Sequence, residues 1–234
     1  MSAAASIRGA VLAAMLLGGC AGDEIREAPV YVVRPHDTLY SIAWRHNLDY
    51  RDLAQWNHVG PDFRIAIGQR LALGPEGRVA EAPQSAAPSS GAAAHGLREE
   101  PRTGRPAMPA QPIPHLNWVW PTDRNLSPRA VQSGGISFPG QLGQQIRAAA
   151  AGRIVYTGSG IRGYGQLVII KHNDVLLSAY AYNRDVTVSE GQEVAAGQMI
   201  AHMGEGSHQT PLLYFEIRFN GKPIDPLPVL EGKK

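Results

Sequence analysis

Cysteine is almost absent from this chain: Cys20 is the only one in 234 residues, which excludes an intrachain disulfide, a zinc ribbon and a CxxC redox pair. Concentrated charge is missing too. Lysine and arginine number 22 against 20 aspartates and glutamates, for a formal net charge of +2. With that charge scattered, there is no basic face of the kind a nucleic-acid partner needs. The apolar run from Gly9 to Leu17 is too short to cross a bilayer, which takes about 20 residues. Bulky apolar side chains are scarce between Pro75 and Pro114, so that stretch cannot offset the entropy of ordering. Composition therefore divides the chain into two modest domains rather than one.

What is present begins with Arg8, the apolar run and the small residues Gly18 and Gly19, the layout of a cleavable export signal. Leu17-Gly18-Gly19-Cys20 resembles the lipobox of bacterial lipoproteins. That resemblance implies a signal peptide over 1–19, lipidation of Cys20 and a lipidated tether over 20–29. A plain secretory peptide with an incidental cysteine is the alternative, but the only cysteine falls at the expected cut. Ala21 stands where, in the family pattern, aspartate would retain the protein at the inner membrane. The resemblance therefore implies an outer-membrane lipoprotein facing the periplasm.

From residue 30 to 74 the pattern is strand, helix, helix, strand. Tyr31-Val32-Val33 reads as a strand, and Asp37 or Thr38 caps a helix whose apolar face runs through Leu39, Ile42, Ala43 and His46. Asp49 caps a second helix through Tyr50, Leu53, Ala54 and Asn57, and Ile65 to Leu73 alternates again around Gly68-Gln69. Tyr31-Val32-Val33, Asp37-Thr38-Leu39, Ile42-Ala43, Leu53, Asn57 and Ile67-Gly68-Gln69-Arg70-Leu71 together resemble a LysM module, with His36 departing from the usual glycine. The resemblance implies a small α+β (βααβ) fold that binds the glycan strands of peptidoglycan. Trp44 and Trp56 are either sugar platforms or core, since so small a domain needs large side chains to bury.

Residues 75–117, rich in Ala, Pro, Gly and Ser, read as a disordered linker. A flexible coil of about 40 residues spans on the order of 35 Å, which would let one domain search while the other holds the wall. Over 118–230 the signals are short alternating strands: Gly152 to Gly158, Leu167 to His172, Val175 to Ala181, Met199 to Gly204 and Leu213 to Phe219. Asn173-Asp174 and Asn220-Gly221 supply turn chemistry. The fold class is mainly β: a LysM-like module, a linker and an all-β domain.

That domain carries Gly135-Ile136, Ala149-Ala150-Ala151-Gly152, Gly163-Tyr164-Gly165, Val168 to His172, Tyr180-Ala181, Glu190 to Val194, Gly197 to Ile200 and Phe215-Glu216-Ile217. These spacings resemble the LytM or lysostaphin-type zinc peptidase domain over its full length. Active members hold zinc through a His-x-Gly-x-Asp motif and a His-x-His-Phe-Glu strand, with another histidine after Tyr-Ala. Here the matching residues are Ser133 and Ser137, then Tyr182 for the middle histidine, then Leu212 and Tyr214. Catalytic zinc takes three imidazole, thiolate or carboxylate ligands and lowers the pKa of a bound water to about 7. A serine hydroxyl replaces none of these, leucine has no lone pair, and tyrosine binds only after losing a proton whose usual pKa is about 10. The resemblance thus implies a degenerate, non-enzymatic domain with no metal or other cofactor. A zinc endopeptidase site rebuilt from His172, His202 and His208 is the enzymatic alternative, although no pair has ligand spacing. No serine nucleophile pattern emerges.

Tyrosines suit interfaces, with large apolar area and a hydroxyl for the rim. Tyr182 and Tyr214 either plug the emptied groove or, with Arg162 and Tyr164, line a partner-binding surface. A LysM module, a Pro-rich linker and a degenerate LytM domain on a lipoprotein resemble the NlpD type of murein hydrolase activator. That resemblance implies a partner N-acetylmuramoyl-L-alanine amidase whose regulatory helix is drawn into the groove. The outcome would be peptidoglycan splitting and daughter-cell separation at the division septum. A passive peptidoglycan tether is the remaining alternative.

Overall fold

A computed structural model describes residues 28–75, 114–123, 127–206 and 209–232. The expected signal peptide, Cys20, most of the tether and linker, and His208 lie outside them. In the N-terminal module, β1 (Val30–Val32) pairs antiparallel with β2 (Arg70–Ala72). Between them run α1 (Leu39–Arg45) and α2 (Tyr50–Trp56). Thr38 caps α1 in a reciprocal capping box with Ser41, and the Asp49 carboxylate accepts from Arg51 N at 2.8 Å to start α2. The alternation from Ile65 onward predicts a longer last strand than β2. Residues before it instead close a turn in which Gln69 N donates to Ala66 O and Gln69 Oε1 accepts from Ala66 N. His36, at the position where glycine is usual, has φ +66°, the left-handed region that L side chains avoid.

The C-terminal domain builds one sheet from ten strands. These are β3 (Arg129–Ala130), β4 (Ile136–Pro139), β5 (Gln145–Arg147), β6 (Gly152–Gly158), β7 (Gln166–Lys171) and β8 (Leu176–Val186). They are followed by β9 (Glu193–Val194), β10 (Met199–Met203), β11 (Leu212–Phe219) and β12 (Lys222–Ile224). The order is β3-β4-β11-β8-β7-β6-β9, with β10 bridging β5 and β8, and β12 beside β11. A short helix, α3 (Pro226–Leu230), is an addition to the all-β expectation, started by the Asp225 cap and a proline at its first position.

The sheet has a core on each face. Val168, Ile170, Tyr180, Phe215 and Ile217 point into one, with Phe138, Ile146 and Met203. Leu167, Ile169, Leu177, Ala179 and Tyr214 point into the other, and there they meet Leu39, Ile42, Trp44, Tyr50 and Leu53 of the LysM-like module. A bulge between Ile154 and Tyr156 turns both Val155 and Tyr156 toward that second core. The two modules are therefore packed together, not held apart as a search tether would hold them. Polar ties ring the contact: Tyr50 Oη donates to Asp174 O at 3.0 Å, Arg51 Nη2 to Asn220 Oδ1 at 2.6 Å, and Arg45 Nη2 to Gly160 O at 3.3 Å.

His172 closes the loop between β7 and β8. A carbonyl only accepts, so His172 Nδ1 carries the hydrogen it gives Ala151 O at 2.8 Å, and Nε2 accepts from Ser178 Oγ at 2.7 Å. Burial lowers its pKa to about 4. The unfolded chain takes up this proton near the ordinary value of about 6.5, so His172 costs stability as pH falls from there toward about 4. Urea unfolding at pH 7 and pH 4.5 is expected to show the wild type losing on the order of 2 kcal/mol more than His172→Gln. Replacement of His36 by glycine should raise stability by about 0.5–1 kcal/mol, the left-handed strain less glycine's extra unfolded-state entropy. The same urea titration at pH 7 reads it.

Candidate functional site

Strand β11 presents Leu212, Tyr214, Glu216 and Arg218 on one face and Leu213, Phe215, Ile217 and Phe219 on the other, as period-two geometry requires. Tyr214 is 7% exposed, Glu216 0% and Arg218 3%. Buried charge needs partners, and here each group has them. Arg218 Nε donates to Glu216 Oε1 at 2.6 Å. The other carboxylate oxygen accepts from Tyr214 Oη at 2.7 Å and from Tyr164 Oη at 3.3 Å. Ser133 Oγ lies 2.7 Å from Tyr214 Oη and, since the phenol hydrogen goes to Glu216, serves as its donor. Above this pair, Arg218 Nη1 donates to Trp44 O at 3.0 Å and the guanidinium lies 3.8 Å from the Trp44 ring centroid.

The other positions are held from neighbouring strands. Register places Ser137 of β4 and Ala181 of β8 opposite Tyr214. Ser137 Oγ donates to Arg129 O at a long 3.4 Å. Tyr182 adopts φ +62°, its N–H donates to Tyr164 O at 2.9 Å and its hydroxyl to Gly163 O at 2.7 Å, so it fastens the Gly160 to Gly165 loop. Arg162 in that loop is exposed, while Tyr164 is half-buried with its ring edge-on to Tyr214, centroids 5.7 Å apart. A Cβ at Gly135 would lie 2.6 Å from Tyr214 Cζ, so the tyrosine ring needs glycine behind it. Leu212 is half-buried against Gly206.

This arrangement cannot hold a zinc ion by the family's chemistry. Burial, then the Glu216 carboxylate, pushes the Tyr214 hydroxyl far above its ordinary pKa, and the same two causes raise Tyr164. Phenolate is therefore unavailable as a ligand near neutral pH. Glu216 already neutralises Arg218. Among the described residues no group of three or more His, Cys, Asp and Glu stands together to hold a metal. Of the spare histidines, His172 is a loop closure and His202 pairs with Asp185 at 2.5 Å on another part of the surface. The side chains at these positions are committed to one another and not to a metal. Glu216, Arg218 and Trp44 are the residues that sequence reasoning missed as a unit. The charged alternate positions of β11 were visible, but that pattern ordinarily marks a wet face.

Residues 131–226 match Peptidase family M23 and residues 31–74 match the LysM domain. The Lipoprotein NlpD/LppB homolog of Pseudomonas aeruginosa is 40% identical over 91% of this chain and 82% of its own. The Uncharacterized lipoprotein YgeR of Escherichia coli strain K12 is 35% identical over 94% and 91% respectively. The Murein hydrolase activator NlpD of the same strain is 34% identical over 84% of this chain and 66% of its own.

Truncating Arg218 to alanine strands the Glu216 charge, at an expected cost of about 3–5 kcal/mol. The paired change Glu216→Gln with Arg218→Met should cost less than the single one; chemical denaturation of the three proteins ranks them. Zinc added in excess and then dialysed away should leave no stoichiometric metal by elemental analysis. Retention of one zinc per chain contradicts the site described.

Proposed function

Because this chain belongs to the NlpD/LppB family of lipoproteins with a LysM module and an M23-type domain, we propose that it activates an N-acetylmuramoyl-L-alanine amidase without chemistry of its own. The observation that carries the reading is that none of the five matching positions keeps a metal-binding side chain, and two of them, Ser133 and Tyr214, are drawn into a hydrogen-bonded array with Glu216 and Arg218. A relative of 34% identity bears the name murein hydrolase activator, and relatives named as lipoproteins, some of them as outer-membrane antigenic lipoproteins, favour an outer-membrane, periplasm-facing location through Cys20. Septal peptidoglycan splitting and daughter-cell separation would be the process served.

In this reading the LysM module grips glycan strands. Trp44, 2% exposed, is not the platform for them, and Val30 at 38%, Val32 at 47% and Ile67 at 71% are its open large apolar residues among those described. The amidase meets the rim made by Arg162, Tyr164 and Tyr182, with Tyr214 beneath as the floor. Tyr182 holds the loop through Gly163 and Tyr164, so little ordering entropy remains to be lost on docking. An activator needs only to favour the open amidase; a shift from 1:99 to 99:1 takes about 5.5 kcal/mol of differential binding.

The test is dye release from labelled sacculi by a purified amidase, with and without the mature chain. The chain alone should release nothing, and with amidase it should stimulate several-fold. Arg162→Ala, at an exposed position, should raise the concentration for half-stimulation about 10-fold, equal to ~1.4 kcal/mol, with unchanged thermal stability. No stimulation of any amidase from the same bacterium would rule the reading out.

A further inference from the structure

The same array that fills the emptied site also receives a foreign side chain. Trp44 belongs to the last turn of α1 in the LysM module, yet its indole lies on the Arg218 guanidinium and its carbonyl takes an Arg218 hydrogen bond. Residues 174 positions apart in sequence thus complete one another. We propose that α1 is the resident occupant of this site, and that an activating partner displaces it by presenting the same two groups: an aromatic ring and a backbone carbonyl at the C-terminal end of a helix. The proposal rests on the activator reading above and deepens it by naming what the partner's helix must carry.

Three features distinguish a displaceable occupant from a permanent joint. No strand pairing joins the modules among the described residues: β1 and β2 form their own two-stranded sheet. The polar ties that ring the contact lie at its edge, and one of them, the Arg45 to Gly160 bond, is exposed, where water readily replaces it. The fit is also incomplete. Trp44 Nε1 is buried beside the Tyr164 hydroxyl without reaching good hydrogen-bond geometry, and a buried donor so poorly met weakens the seat. A partner ring without that donor, or with an acceptor supplied to it, competes at an advantage. The guanidinium, by contrast, must be covered by something, since Glu216 neutralises its charge but leaves its upper face and an N–H open.

The position of Tyr164 links occupant and rim. It contacts Glu216 and Tyr214 below and receives the Tyr182 N–H, and it borders Trp44.

The experiment uses the full mature chain labelled with 5-fluorotryptophan, whose four tryptophans give four fluorine resonances. Trp44→Phe assigns one of them. Unlabelled amidase is added to saturation, and sacculi assays run on the same mixtures. The Trp44 resonance should gain the solvent isotope shift of an exposed indole, while Trp118 and Trp120 stay as they were. A Trp44 resonance that remains solvent-protected while the amidase is fully stimulated overturns the proposal and leaves the activator reading standing. If the amidase is not stimulated at all, the activator reading itself is lost, and this inference with it.

Discussion

A buried guanidinium–carboxylate pair is the constraint around which the rest of this molecule is arranged. Two opposite charges on one strand, Glu216 and Arg218, are removed from water with almost no exposed surface. Desolvation of such a pair is expensive unless all the remaining donors and acceptors find partners. That requirement explains the tyrosines, since Tyr214 and Tyr164 satisfy one carboxylate oxygen and Arg218 the other. It bears on the close packing of the modules too, because Trp44 covers one face of the Arg218 guanidinium and accepts a hydrogen bond from it. Stacking of a desolvated arginine on tryptophan is worth about 2 kcal/mol, comparable with a buried hydrogen bond to a charged group.

The same side chains that pack this interface are unsuited to metal chemistry. A zinc site demands ligands that stay unprotonated or ionised around an open coordination position. The array here demands the reverse: hydroxyls that keep their hydrogens and no open position. Tyr214 shows the change most plainly, because the burial and nearby carboxylate that raise its pKa make it a better hydrogen-bond donor to Glu216 and a worse ligand at once. Ser133, Gly135 and Tyr164 then adapt to its ring, by hydroxyl contact, by absence of a side chain and by edge-on packing.

Much of the fold was legible from local chemistry. Asp37 or Thr38, of which Thr38 is the cap, and Asp49 announced the two helices, and Asn173-Asp174 and Asn220-Gly221 the turns, because capping and tight turns depend on near neighbours. The five positions matched to metal-binding and proton-transferring residues rest on the family resemblance, not on local chemistry. The second face of the sheet was not read. Leu167-Val168-Ile169-Ile170 is an unbroken apolar run, the mark of a strand covered on both sides, but nothing local says what covers it. The alternation of β11 pointed the wrong way, since charged residues at every second place ordinarily face water, and only the distant Trp44 makes that face dry. Long-range complementarity of this kind leaves no periodicity in either segment.

Hairpin tips are usually where a protein drifts most freely, accepting insertions and odd side chains. The turn after β11 is an exception. Asn220 and Gly221 both have positive φ, at +48° and +72°, as a tight two-residue connection needs. A Cβ at Gly221 would also lie 2.7 Å from the Asp49 backbone nitrogen at the start of α2, while Asn220 itself accepts from Arg51. Two structural duties therefore converge on one pair of atoms-poor residues, and ordinary sequence variation has no room there: lengthening this loop by a single residue would misalign a strand and unseat the neighbouring helix together.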